Sequence, residues 1–309
     1  MANAIRLTEN DTPKNTGITF GVCAACDPRI DQASRVRTAN VIEIIAEIIA
    51  KEVKMPDGAP VNVVYATTLI DGEPQADIVA RQFKDANVNA IVCTPDTWAF
   101  PQLTLMSLLA HMPKDIPVNI TCGNSAPKPG VVFAHAVNGA LAQSGRLTHL
   151  NVGTWPDTGA KPKPTPATAK ALVDWCHAAL THAGLKGRRV VMFGHDSMGM
   201  ETALAHVNPT RRAFGIEITR LDMKLLVDML NKGAYDKKEC AAMRKWLTGH
   251  LGKRLDLAQP QADKKLDQSL AMYLIMRDLC NDLDAVGGAF MNQLEWGSDT
   301  RGIPLPICD

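Results

Sequence analysis

The chain has 309 residues, 46% hydrophobic and 21% charged, with 33 lysines and arginines against 32 aspartates and glutamates. That length suits two domains of about 150 residues, each with its own core. The balanced charge excludes electrostatic capture of nucleic acid or of an anionic membrane, and no apolar run approaches the roughly 20 residues that span a bilayer.

The polar start lacks the apolar segment of a secretory signal, so a cytoplasmic protein with reduced cysteines is expected. In the first half, short β-branched runs bounded by turn residues predict strands over 18–26, 61–69, 89–95, 117–123 and 147–153. Helical patterns lie between them. The clearest precedes Lys54, where Val41, Ile44, Ile45, Ile48 and Ile49 recur with the helical period. Others are expected near 74–86, 100–111 and 131–144. Strands alternating with helices require crossovers, which gives a doubly wound α/β domain with a mainly parallel sheet, of Rossmann or flavodoxin-like type. Ligands on such sheets bind beyond the C-terminal ends of the strands.

The segment "PDTGAKPKPTPAT" at 156–168 is stiff and poor in apolar residues, and it is expected to divide a domain at 1–160 from a second at 166–309. The second half predicts a helix at 167–183, a strand at 188–194, a turn and helix beginning "GHDSMGME", a strand at 213–220 and helices near 222–232, 236–251 and 262–283. It is richer in helix than in strand. The end, "EWGSDTRGIPLPICD", supplies no closing element.

The "GHDSMGME" turn runs from a strand into a helix, a setting that can display a nucleophilic serine or cradle a phosphate. His195 stands where a nucleophile elbow needs its first glycine, and no phosphate-loop lysine motif exists anywhere in the chain. Ser197, Asp222 and His250 follow the hydrolase order, but His250 ends a charge-rich helix. What remains is a helix N-terminus with a hydroxyl, suited to an oxygen-rich ligand such as a sugar, or a turn kept small for packing. "CAAC" (Cys23 to Cys26) has redox or zinc spacing but no second pair of ligands, which favours core cysteines. After it come Asp27, Arg29 and Arg35 at a strand's C-terminal end. Trp98 lies just past the third strand, where an indole can stack on a sugar. Asn292, Gln293 and Glu295 gather beside Trp296, and amide side chains suit polyols.

The stretch from Gly194 to Glu239 resembles the L-fucose isomerase family, which also acts on D-arabinose. Ser197, Met198, Gly199, Phe214, Gly215, Asp222, Met223, Tyr235 and Asp236 fall in order on the family pattern. Similar matches are "KPGVVFAHAVNGALAQSG", "MYLIMRDL", "GGAFMNQLEW", and Asp27 with Arg29 for the family's D-G-R. At Trp98 the family has T-P-C-W and this chain T-P-D-T-W.

The resemblance implies an aldose–ketose isomerase working through an enediol held by Mn²⁺, with an aldose or ketose monosaccharide as its partner molecule. It further implies a homo-oligomer whose subunits share sites, with Arg29, Trp98, Ser197, Met198 and Gln293 lining the sugar. It assigns no catalytic residue or metal ligand here, because the family's metal-binding A-T-E-N-D motif is not in the sequence. The expectation is therefore a pair of N-terminal domains without the metal-bearing C-terminal domain, inactive as a fragment. The rival expectation is a non-catalytic two-domain sugar-binding protein.

Overall fold

The computed structural model describes residues 17–123, 129–146, 148–153, 155, 159–194, 204, 206–258 and 261–290. Ser197, Met198 and Gln293, and the turn that holds the first two, lie outside them.

All five strands expected in the first half form: β1 (Thr19–Cys23), β2 (Asn62–Tyr65), β3 (Ala90–Cys93), β4 (Val118–Gly123) and β5 (Thr148–Gly153). They make one parallel sheet in the order β2-β1-β3-β4-β5, with Cys23 level with Cys93 across the β1/β3 pair. Helices α1 (Gln32–Glu52), α2 (Glu73–Asp85), α3 (Leu105–Ala110) and α4 (Gly130–Gln143) make the crossovers. α3 is shorter than expected, because residues from Phe100 to Thr104 form turns, Leu103 N–H donating to Phe100 O at 3.2 Å.

The central strands are apolar on both faces because helices cover both, as parallel sheets demand. Alternation sends Phe20, Val22, Ala90 and Val92 into one core with Val41, Ile45 and Ile49 of α1. It sends Cys23, Ile91, Cys93 and Ile120 into the opposite core with Val79, Phe83, Leu105, Phe133 and Val137. Burial of each such aliphatic or aromatic side chain contributes about 1.5–3 kcal/mol.

The chain divides into compact units between Gly184 and Leu185. Helix α5 (Pro166–Leu185) therefore packs with the first sheet, although sequence analysis began the second domain at 166. Its Leu172, Cys176 and Leu180 share the core of Ile45 and Ile49. Asn151 of β5 fastens its start, Nδ2 donating to Thr168 O at 3.1 Å.

The second unit holds a parallel sheet in the order β7-β6-β8, from β6 (Arg189–Phe193), β7 (Glu217–Leu221) and β8 (Ala285–Phe290). Its helices are α6 (Val207–Phe214), α7 (Met223–Asn231), α8 (Lys237–Leu251) and α9 (Ala262–Asp282). The strand expected over 213–220 starts later: Phe214 ends α6, and Gly215 closes it in the left-handed region at φ 67°. β8 was not expected at all. Its "AVGGAF" carries little strand propensity, yet Gly288 is required there, since a Cβ would lie 2.9 Å from the Phe193 ring and 2.8 Å from Cys280 Sγ. Val191, Phe193, Met223, Leu226, Met272 and Ile275 form this unit's main core. The two parallel sheets with helical crossovers are the doubly wound α/β class the alternation implied.

Candidate functional site

In the order β2-β1-β3-β4-β5, β1 and β3 are neighbours whose following chains leave toward opposite faces. That is the switch point at which such sheets open a crevice beyond their strand ends. The loops after β1, β2 and β3 are tied together there by backbone bonds: Cys26 N–H donates to Ile70 O at 3.0 Å, Asp27 N–H to Trp98 O at 2.9 Å, and Thr94 N–H to Cys23 O at 2.8 Å.

Asp27 turns the chain and binds Arg29 twice over. Arg29 Nε and Nη2 donate to its two carboxylate oxygens at 2.8 and 2.6 Å, and the Arg29 backbone N–H adds a bond of 2.9 Å to Oδ1. The Asp27 side chain is 9% exposed while that of Arg29 is 75% exposed, so the pair stands with its acid inward and its cation at the surface. The Arg29 guanidinium pulls the Asp27 carboxyl down to about pKa 2. Arg35, reaching from α1, donates to Pro28 O at 3.1 Å and to Asp71 Oδ2 at 2.8 Å, which pins the same turn to the β2 loop. A third pair lies deeper, where Arg37 Nε donates to Asp96 Oδ2 at 2.8 Å and Nη1 to Gly159 O. Asp27, Asp71 and Asp96, which follow β1, β2 and β3, thus each face an arginine.

Trp98 is half-buried against both aromatic neighbours, edge to face with Phe100 at 6.1 Å and with Phe133 at 6.4 Å. The Arg29 guanidinium carbon sits 5.7 Å from the centre of the Phe100 ring. Two residues expected at the site, 69 positions apart in sequence, are therefore joined through Phe100, which sequence analysis did not select. Its signal was an aromatic two residues after Trp98 on the same rim loop. Phe100, Leu103 and Val132 are all exposed. The resulting surface pairs a fixed guanidinium with apolar ring faces, the combination that donates to hydroxyls while packing against C–H groups.

Other candidates resolve structurally. Cys23 and Cys26 are buried; burial pushes the Cys26 thiol up to about 11, and a bond to Cys93 with burial raises Cys23. Both are protonated core groups. Asp222 caps α7, accepting from Lys224 N–H at 2.8 Å, and His250 stacks on the exposed Trp246 at 5.2 Å.

Among the described residues no three histidine, cysteine, aspartate or glutamate side chains are grouped to hold a metal ion. With Asp27, Asp71 and Asp96 each facing an arginine, these three rim acids do not fit the Mn²⁺ implied by the resemblance. Among the described residues no helix is long and apolar enough to cross a membrane.

The profile of the L-fucose isomerase first N-terminal domain matches residues 18–187, and that of the second N-terminal domain matches residues 188–303. Similar proteins include the L-fucose isomerase of Streptococcus pneumoniae strain Taiwan19F-14, 24% identical over 257 residues, and that of strain CGSP14, 25% identical over 258. Each alignment covers 81% of this chain and 43% of the relative, so the chain matches less than half the length of these relatives.

Proposed function

Because the chain belongs to the L-fucose isomerase family and carries its two N-terminal domains in order, we propose that it forms the sugar-orienting part of an aldose–ketose isomerase acting on L-fucose, D-arabinose or a related aldose. The observation that carries this reading is the meeting of Arg29 and Trp98 through Phe100 at the β1/β3 switch point.

Isomerisation moves a proton between C1 and C2 and needs a base of accessible pKa. Asp27, held near pKa 2 by Arg29, is a poor base, and Asp71 and Asp96 also face arginines. These residues are therefore suited to holding the hydroxylated chain of the sugar. Mn²⁺ in such an enzyme would polarise the carbonyl. Proton transfer falls to groups other than these, in keeping with a homo-oligomer in which subunits share sites. Ser197, Met198 and Gln293 remain proposed sugar contacts.

The test is ketose formation by the 309-residue chain with Mn²⁺ and L-fucose or D-arabinose, alongside Mn²⁺ calorimetry. Sugar binding without turnover and without a stoichiometric Mn²⁺ site is expected of this chain alone. Turnover, or such a site, would overturn the division of labour. The arginine-sealed acids also favour a second reading, a sugar-binding protein without chemistry. Ketose formation when the chain is combined with the C-terminal part of an L-fucose isomerase relative excludes it.

A further inference from the structure

The contacts at the switch point close on themselves. Asp27 reaches Trp98 through its backbone N–H and Arg29 through its carboxylate; Arg29 covers Phe100, and Phe100 meets Trp98 edge to face. Two of the five guanidinium N–H groups of Arg29 are spent on Asp27, leaving three for another acceptor. An exposed arginine normally samples many rotamers, and ordering it on binding costs free energy. Here the fork of the carboxylate fixes the plane of the guanidinium, and the ring of Phe100 covers one of its faces.

We infer that Asp27 and Phe100 are positioning residues: they hold the guanidinium of Arg29 and the indole of Trp98 in one fixed arrangement, so that three N–H donors and an aromatic surface meet a neutral polyhydroxylated ligand together. The inference rests on the sugar-site reading above and assigns these two residues a task that the resemblance did not give them. Lysine cannot replace Arg29, because one ammonium lacks the planar fork that grips Asp27 while donating elsewhere.

The experiment follows the Arg29 Nε–H and Trp98 indole N–H resonances in the ¹⁵N-labelled 309-residue chain, first alone and then during titration with L-fucose to millimolar concentration. In the native chain Arg29 Nε–H is protected from solvent exchange and both resonances move with sugar. Asp27→Asn removes the protection and weakens the sugar response about tenfold, and Asp27→Glu restores part of each. Phe100→Ala weakens the response with Asp27 intact, and Phe100→Leu less so. An unchanged Trp155 indole signal reports that the variants are folded. Retained protection with an unchanged sugar response in Asp27→Asn overturns the positioning role. Failure of both resonances to move in the native chain overturns the sugar-site reading instead, and the two failures are separable because exchange protection is read without sugar.

Discussion

The five-stranded sheet of the first unit and the three-stranded sheet of the second solve the same problem with different reserves. In the first, β1, β3 and β4 are buried along their whole length between two helical layers. In the second, only Val191, Met192 and Phe193 of the three strands are buried, while β7 and β8 hold half-buried and exposed residues. The three aspartate–arginine pairs lie on the rim of the first sheet. The smaller sheet relies on helix ends and surface pairs, such as Arg211 with Glu217 at 2.7 Å.

The largest test of this contrast is Arg37→Ala. The Arg37 and Asp96 side chains are 10% and 5% exposed, so removing the cation breaks a buried ion pair and takes the Nε–H bond of 2.8 Å from the carboxylate. The expected loss is about 3–5 kcal/mol in the first unit, read from urea unfolding followed at buried Trp155. Leu226→Ala in the second unit removes a fully buried side chain from a core rimmed by half-buried residues. About 2–3 kcal/mol is expected there, toward the lower end for such truncations because partly exposed neighbours can relax into the space. If Leu226→Ala costs more than Arg37→Ala, the ordering of the two units is wrong. A smaller effect comes from Asp236→Ala, which loses bonds from the backbone N–H groups of Lys238 and Glu239 at 2.8 and 3.0 Å. About 1 kcal/mol is expected from such a cap, confined to unfolding of the second unit.

These contrasts were unequally legible in the sequence. The central strands β1, β3 and β4 of the first sheet were readable because burial on both faces selects short apolar, β-branched runs, and α1 because its isoleucines keep the helical period. β8 was not, since "AVGGAF" is chosen for close approach to Phe193 and Cys280 and so lacks the bulky side chains by which strands are recognised. The allegiance of α5 was hidden for a related reason. A proline-rich stretch marks a break in local structure, whereas the packing of Leu172 and Cys176 against Ile45 and Ile49 is long-range. At the site, the polar loops after β1 and β3 identified Arg29 and Trp98 separately. Their meeting depends on strand order, and Phe100 gained its role only from that meeting. Ser197, Met198 and Gln293 lie outside the described residues, so their placement is untouched by this geometry.

The smallest expected effect is an absence of change, and it separates the rim pair from an ordinary surface pair. Asp27 has its carboxyl lowered to about 2 from 3.8 by Arg29. A carboxyl depressed on folding contributes stability that is fully present above its unfolded value and is lost only as pH falls through the folded one. Between pH 7 and pH 4 both folded and unfolded chains hold this group mainly as carboxylate, so the Asp27–Arg29 contact makes almost no pH-dependent contribution there. Arg29 Nε–H protection, followed by NMR, should accordingly persist down to pH 4 and weaken only as the pH approaches about 2. Loss of protection near pH 4 would mean that Arg29 does little to hold the carboxylate ionised. Arg29 would then be a mobile surface cation, and the first unit's rim would be no more rigid than the exposed pairs of the second.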